Sequence, residues 1–180
     1  MKLNTGAMLK AFGIGLVGEL VMVVISEVVN TASGATAGAS PEQMLSSGAA
    51  GIGLGLSCVI YLMYGGIGAI YAWFARKDQG TIDAGSAALG GGITAVIVSI
   101  IGTVVSTLYG LLSGTMTKTI EQATSQVGGQ TDALMPIVIG SLVIGFCIAF
   151  VLSAGFGAGG GAIYAAIAGR GQPQGTAPSV

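Results

Sequence analysis

The spacing of the charged residues constrains the fold of this chain more than any other sequence feature. The 180 residues include 6 Lys or Arg, 7 Asp or Glu and no His. Three long stretches, residues 43–75, 84–117 and 133–169, contain no charged residue. A helix needs about 20 predominantly apolar residues to cross the hydrocarbon core of a bilayer. Each stretch can hold one such helix, so the sequence predicts an integral membrane protein.

The composition excludes several classes of function. Charged residues make up 7% of the chain and hydrophobic residues 52%, whereas a soluble domain carries about 25% charged residues. Most soluble folds are therefore excluded, and so is nucleic-acid binding through a basic patch. The absence of His excludes His-based catalysis, His-ligated metals and His-ligated haem.

A fourth span lies between Lys10 and Asn30 and is interrupted by Glu19. We expect one all-α membrane domain over residues 1–180, a four-transmembrane-helix bundle, with a flexible tail at 171–180 that is rich in Gly, Pro and Gln. The predicted spans are 10–30, 49–75, 84–112 and 133–168.

The distribution of Lys and Arg predicts that both termini face the cytoplasm, because positive charges accumulate on that side. Only Lys118 falls on the opposite side. The basic residues on the inner side are Lys2, Lys10, Arg76, Lys77 and Arg170. We expect a multi-pass protein of a prokaryotic inner membrane. The other interpretation of the first span is a signal peptide cleaved near 35–37, whose apolar region Glu19 would interrupt.

Aromatic residues near the inner ends of the predicted helices agree with this orientation. Amphipathic rings are enriched at membrane–water interfaces. We expect an interfacial belt that consists of Phe12, Tyr71, Trp73, Phe74 and Tyr164.

Two capping boxes predict helix starts. The run Ser40-Pro41-Glu42-Gln43 is typical of a helix N-terminus and leads into the second span. The run Thr119-Ile120-Glu121-Gln122 predicts a short helix on the outer surface near 119–127. Thr81 or Asp83 is expected to cap the third helix.

A short motif occurs twice. Gly68-Ala69-Ile70-Tyr71-Ala72 recurs as Gly161-Ala162-Ile163-Tyr164-Ala165. The two copies indicate two tandem helical hairpin repeats with the same topology, related by an axis along the membrane normal. Chance matches in a sequence this rich in Gly and Ala are the alternative.

Small residues recur at every fourth position in the third and fourth helices. The small-residue ridge of the third helix contains Ala87, Gly91, Ala95 and Ser99. The ridge of the fourth contains Ser141, Gly145, Ala149, Ser153, Gly157 and Gly161. Such ridges allow helices to approach closely in lipid. They either pack the four helices against each other or form a surface for partner helices.

Glu19 is the one acidic residue predicted near the membrane midplane. An ionised carboxylate there costs about 2.5–3.5 kcal/mol on insertion scales. Glu19, with Glu27 nearer the outer surface, is therefore a candidate proton or cation site. The competing interpretation is a neutral Glu19 that donates one hydrogen bond between helices. Its candidate neutral partners, by depth, are Tyr61, Tyr64, Ser99 and Ser153.

Two functions remain open on the sequence. The first is a non-enzymatic structural or accessory subunit that binds other membrane subunits, or copies of itself, through the ridges. The alternative is a small oligomeric transporter or channel that uses Glu19. No nucleophile–base pair, cofactor motif or metal-ligand pattern is present, so no enzyme, cofactor or metal is predicted. Cys58 and Cys147 are expected to be small core residues.

Overall fold

The computed structural model describes residues 3–32, 49–114 and 131–169, which form four α-helices and no strand. The predicted outer helix near 119–127, the capping box at 40–43 and the tail at 171–180 lie outside the described residues. The helices are α1 (Thr5–Ala32), α2 (Ala49–Gln79), α3 (Ala84–Leu112) and α4 (Thr131–Gly169).

All four helices are long and apolar enough to cross a membrane, which confirms the predicted all-helical chain with four candidate membrane spans. The candidate spans are Thr5–Val29, Leu54–Gln79, Ala84–Leu112 and Val143–Gly169. The 39 residues of α4 correspond to about 59 Å at about 1.5 Å per residue, well beyond a hydrocarbon core of about 30 Å. The glycine-rich segment 155–161 is helical throughout.

Polar side chains cap two of the helix starts. The Asn4 side-chain oxygen accepts a hydrogen bond from the Ala7 N–H at 3.0 Å at the start of α1. Asp83, and not Thr81, caps α3: its carboxylate accepts from the Ser86 N–H at 2.9 Å and from the Ser86 hydroxyl at 2.6 Å. These two hydrogen bonds hold the pKa of the Asp83 carboxyl below its ordinary value of 3.8.

The start of α1 is tied to the end of α2 by polar contacts. Lys10 forms an ion pair with Asp78 at 3.5 Å, and the Asn4 amide donates to the same carboxylate at 3.4 Å. The Lys10 ammonium also lies 5.3 Å from the centre of the Phe74 ring. Gly80 follows α2 with φ +78°, and its N–H donates to the Arg76 carbonyl oxygen at 2.7 Å. A glycine in this conformation is a common helix stop.

The chain forms two compact units, and every helix contributes to both. Unit 1 comprises Met1–Gly15, Tyr61–Val98 and Leu152–Val180, and unit 2 comprises Leu16–Ile60 and Ser99–Val151.

Glycines hold the helices of unit 1 at close range. A Cβ on Gly68 of α2 would overlap the backbone of Gly157 of α4. A Cβ on Gly157 would lie 2.5 Å from the Ala95 Cβ and 2.7 Å from the Gly91 carbonyl oxygen, both on α3. A Cβ on Gly161 would overlap the carbonyl oxygen of Ala87. At these glycines the helices of unit 1 therefore approach one another backbone to backbone, as expected where small residues pack helices in lipid.

Tyr71 belongs to the core of unit 1 and not to an interfacial belt, so the prediction for this residue is wrong. Its side chain is 1% exposed and packs with the buried Ala7, Ala11 and Ala75. Gly90 of α3 makes room for the ring, because a Cβ there would overlap it. The neighbouring Trp73 is 46% exposed.

Each copy of the repeated motif contributes one alanine to the same hydrophobic cluster of unit 1. Ala72 ends the first copy and Ala165 the second, and both pack with Ala87 in a buried cluster. Their tyrosines differ, since Tyr71 is buried and Tyr164 half-buried. The duplication remains a prediction.

The two cysteines are exposed, and both thiols are free. The expectation that Cys58 and Cys147 are core residues is therefore wrong. The reason is that lipid is as apolar as a helix interface. The type of a small apolar residue therefore does not show whether its side chain faces lipid or another helix.

Candidate intramembrane carboxylate site

Glu19 lies in the interior of unit 2, although it carries a carboxyl group. The residue is 8% exposed and sits on α1 inside the candidate span Thr5–Val29. Its carboxyl group approaches α3 at Gly102: a Cβ on that glycine would lie 2.7 Å from both Cδ and Oε2 of Glu19. The missing side chain of Gly102 thus provides the space that the carboxyl group occupies.

A polar cavity of about 190 Å³ opens beside Glu19. Five of its lining residues carry oxygen-bearing side chains, namely Glu19, Ser26, Glu27, Ser106 and Tyr109. The others are Met22, Val23, Ile60 and Gly110. The Ser26 hydroxyl donates to the Met22 carbonyl oxygen at 2.7 Å, and its own oxygen can still accept a hydrogen bond. The polar cavity therefore offers oxygen atoms of two carboxyl and three hydroxyl groups.

A second cavity, of about 170 Å³, also borders the Glu19 side chain. Glu19 is the one polar side chain in its lining, which otherwise consists of Leu16, Leu20, Val23, Ile101, Gly102 and Val105. We call this the apolar cavity. Both cavities are formed within unit 2.

The structure brings together some of the predicted site residues and separates others. Glu19 and Glu27 line the same cavity. Ser99 is buried in unit 2 but lines neither cavity. Tyr61, Tyr64 and Ser153 belong to unit 1.

Sequence reasoning missed Gly102, Ser106 and Tyr109. A signal for two of them was present, because Gly102, Ser106 and Gly110 follow one another at four-residue spacing. If the four-residue spacing of the α3 ridge is continued beyond Ser99, each of these three residues precedes a ridge position by one residue. The spacing could have identified a second small-residue face, but it could not show that this face borders Glu19.

The residue types at the site suit a proton or a small hard cation. Carboxylate and hydroxyl oxygens are the donors that such ions prefer. No cluster of three or more His, Cys, Asp or Glu occurs among the residues that the structure describes. A multivalent metal centre built from such side chains is thus not seen in this part of the chain.

Most of the two ridges face the interior of the protein. In unit 1, Ala87, Gly91, Ala95, Ser153, Gly157 and Gly161 are buried. In unit 2, Gly145 is exposed, and a Cβ there would meet nothing within 4 Å. Ala149 is half-buried, and the side chain of Ser141 lies outside the described part of the chain. Internal packing thus accounts for the unit 1 part of the ridges, while Gly145 remains open to a partner.

Comparisons with protein-family models, with curated proteins and with solved structures found no match to this chain.

Proposed function

We propose that this protein is a small membrane transporter or channel that takes a proton or small cation at Glu19, with Glu27 on the same path. The observation that carries the proposal is the burial of Glu19 within a candidate span, at the edge of the polar cavity. Carboxyl groups inside membrane spans are costly, and they commonly mark ion pathways and proton relays.

The dimensions of the polar cavity support a pathway. Glu27 follows Glu19 by eight residues, which is about 12 Å along a helix. A cavity of about 190 Å³ has room for several water molecules, each of which needs polar partners. Ser26, Ser106 and Tyr109 line the cavity with the two acids and can provide such partners. Hydrated space next to Glu19 lowers the cost of an ionised carboxylate at this depth.

Replacing Glu19 by Gln tests this function. The amide keeps the size of the side chain and removes its ability to ionise. In liposomes containing the purified protein, we expect ion flux for the wild type and background flux for Glu19→Gln. Asp78→Asn, which changes an acid in unit 1, serves as the control and should keep the flux. Equal flux for Glu19→Gln and the wild type would show the proposal to be wrong, as would the absence of flux in both.

An accessory subunit of a larger membrane assembly is the second candidate. An apolar groove of about 390 Å³ in unit 1 favours it. Its small lining residues are Ala88, Gly92, Ala154 and Ala158, and its larger ones are Leu89, Ile93, Val96 and Ile97. Small side chains flanked by branched ones suit a helix of another subunit or of a second copy.

Both functions are non-enzymatic and place the chain in a membrane with its termini on one side. We propose that this side is the cytoplasm, since five of the six basic residues lie there in a four-span arrangement. Labelling of single cysteines placed at either terminus, in the Cys58→Ser/Cys147→Ser background, would test the orientation. Labelling from the outside of intact cells would contradict it.

A further inference from the structure

The apolar cavity of unit 2 combines a hydrocarbon lining with one carboxyl group. It lies between α1 and α3, and six of its seven lining residues are apolar or Gly. The seventh is Glu19, which is 8% exposed. A mostly apolar cavity with a single polar group in its lining has the usual character of a small-molecule binding site.

One oxygen of Glu19 lies at the wall of this cavity. Gly102 of α3 belongs to the lining, and a Cβ built on it would lie 2.7 Å from Oε2 and from Cδ of Glu19. Glu19 already has an interaction within the protein. Because a carboxylate can accept about four hydrogen bonds, it can take one further donor without giving up that interaction.

Unit 2 contains no basic side chain near this carboxyl group. The described residues of the unit, 16–32, 49–60, 99–114 and 131–151, include no Lys or Arg. An ionised carboxylate that is buried without a positive partner is strongly destabilised. Within this part of the chain, a positive partner for an ionised Glu19 can come only from a ligand.

We propose that the apolar cavity binds a small amine, whose ammonium group pairs with Glu19 and whose apolar body is about the size of a benzene ring. The volume sets this size, since the cavity measures about 170 Å³ and an apolar cavity of about 150 Å³ can hold benzene. The inference goes beyond the proposed transport function, because binding at equilibrium does not depend on flux. A bound amine would compete with a proton or small cation for the same carboxyl group.

The hydrocarbon tail of a lipid is the other occupant that such a cavity could take within a membrane span. A tail would fill the space, but it has neither a charge nor a hydrogen-bond donor for the carboxyl group. An amine matches both parts of the lining. Its apolar body contacts side chains such as Leu16 and Ile101, and its ammonium group donates a charge-assisted hydrogen bond to Glu19.

Benzylamine and benzyl alcohol test the role of the charge, because both carry one benzene ring and they are similar in size. Ligand-observed NMR titrations of the folded protein in detergent measure the affinities. We expect benzylamine to bind the wild type. Benzyl alcohol should bind the wild type about tenfold more weakly, and benzylamine should bind Glu19→Gln about tenfold more weakly.

Two results of these titrations would overturn the proposal. Equal affinities of the wild type for benzyl alcohol and benzylamine would show that the cavity takes apolar bodies, such as lipid tails, without using the carboxyl group. Equal affinities of the wild type and Glu19→Gln for benzylamine, or no binding of benzylamine at all, would show that Glu19 does not hold an amine.

Two neighbouring valines of α3 provide a matched pair that tests the location. Val105 lines the apolar cavity, whereas Val104 is 52% exposed and lines neither cavity. Val105→Phe fills the cavity and should abolish the binding of benzylamine, and Val104→Phe should keep it. Wild-type affinity in Val105→Phe would place the ligand elsewhere and overturn the proposal.

Val105→Ala tests the location even if Val105→Phe fails to fold. The substitution removes two methyl groups from the lining and enlarges the cavity. We expect the preference for 4-methylbenzylamine over benzylamine to rise severalfold relative to the wild type, because the enlarged cavity buries the additional methyl group. An unchanged preference would contradict binding in this cavity.

Flux and binding measured on the same preparations separate this inference from the transport function. Benzylamine binding that depends on Glu19, in a protein without ion flux, would keep the amine site and remove the transport function. Ion flux that depends on Glu19, in a protein that does not bind benzylamine, would keep the transport function and overturn the amine site. If both hold, benzylamine should inhibit the flux, and flux that saturating benzylamine leaves unchanged would overturn the pairing of the amine with Glu19.

Discussion

Individual glycines in this chain have different roles, even when they are close in sequence. Gly157 is buried against Ala95 and Gly91, whereas Gly155 is exposed, with nothing within 4 Å of a Cβ built there. The two positions are separated by one residue and lie on different faces of α4. Some glycines of this chain therefore lie where two helix backbones approach closely and leave no room for a Cβ, whereas others lie in open space.

The comparison of Gly157→Ala with Gly155→Ala tests this distinction. The first adds a methyl group to a full interface and should destabilise the protein by about 1–3 kcal/mol. The second fills open space and removes a glycine from a helix interior, so it should stabilise by about 0.5–1 kcal/mol. Unfolding in the same detergent measures both effects. Equal changes of the same sign would show that Gly157 has no special packing role.

At the scale of the helices, the start of α3 depends on a charged cap. The lowered pKa of the Asp83 carboxyl follows from hydrogen bonds with the Ser86 hydroxyl and backbone N–H. A group whose pKa is lower in the folded state stabilises that state above its unfolded pKa. This stabilisation is lost as the pH falls through the lower, folded value.

Asp83→Ala should therefore lower the thermal stability of the protein at pH 7. The difference from the wild type should shrink as the pH falls below the ordinary carboxyl value of 3.8 and through the lower folded-state value. Thr81→Ala is the control, since Thr81 precedes α3 and does not cap it. Thermal melts over a pH series in detergent measure these differences. A difference that stays constant down to the lowest pH would contradict the charged-cap explanation.

For the whole molecule, the question is whether the protein works alone or with partners. The apolar groove of unit 1 is the surface that a partner helix would occupy under the second candidate function. Ala88→Leu would narrow the groove. Ala166→Leu makes the same change at an exposed position of α4 that is not part of the groove lining.

If the groove binds a partner, Ala88→Leu should reduce the mass of the native complex in mild detergent, and Ala166→Leu should leave it unchanged. Native mass spectrometry of protein purified from its source membrane measures this directly. If the wild type and both variants were monomers, the accessory-subunit function would be excluded. This result would also argue against an oligomeric transporter. A complex that survives Ala88→Leu would show that the groove is not the contact surface.

The linear pattern of charged and apolar residues was sufficient to predict four helices long and apolar enough to span a membrane, and an acid within the first candidate span. This information is local, because a helix satisfies its own backbone hydrogen bonds and only needs enough apolar residues to cross the bilayer. The cap at Asp83 was likewise predictable from the sequence, since an N-cap contacts residues close to it in sequence.

Only the tertiary structure decided which faces of the helices meet. It placed Tyr71 in the core, left Cys58 and Cys147 exposed, and brought Gly102 of α3 next to Glu19 of α1. The physical reason is that both lipid and helix interfaces are apolar. Hydrophobicity therefore does not distinguish an inward from an outward face, and the backbone contacts of the small residues determine the packing.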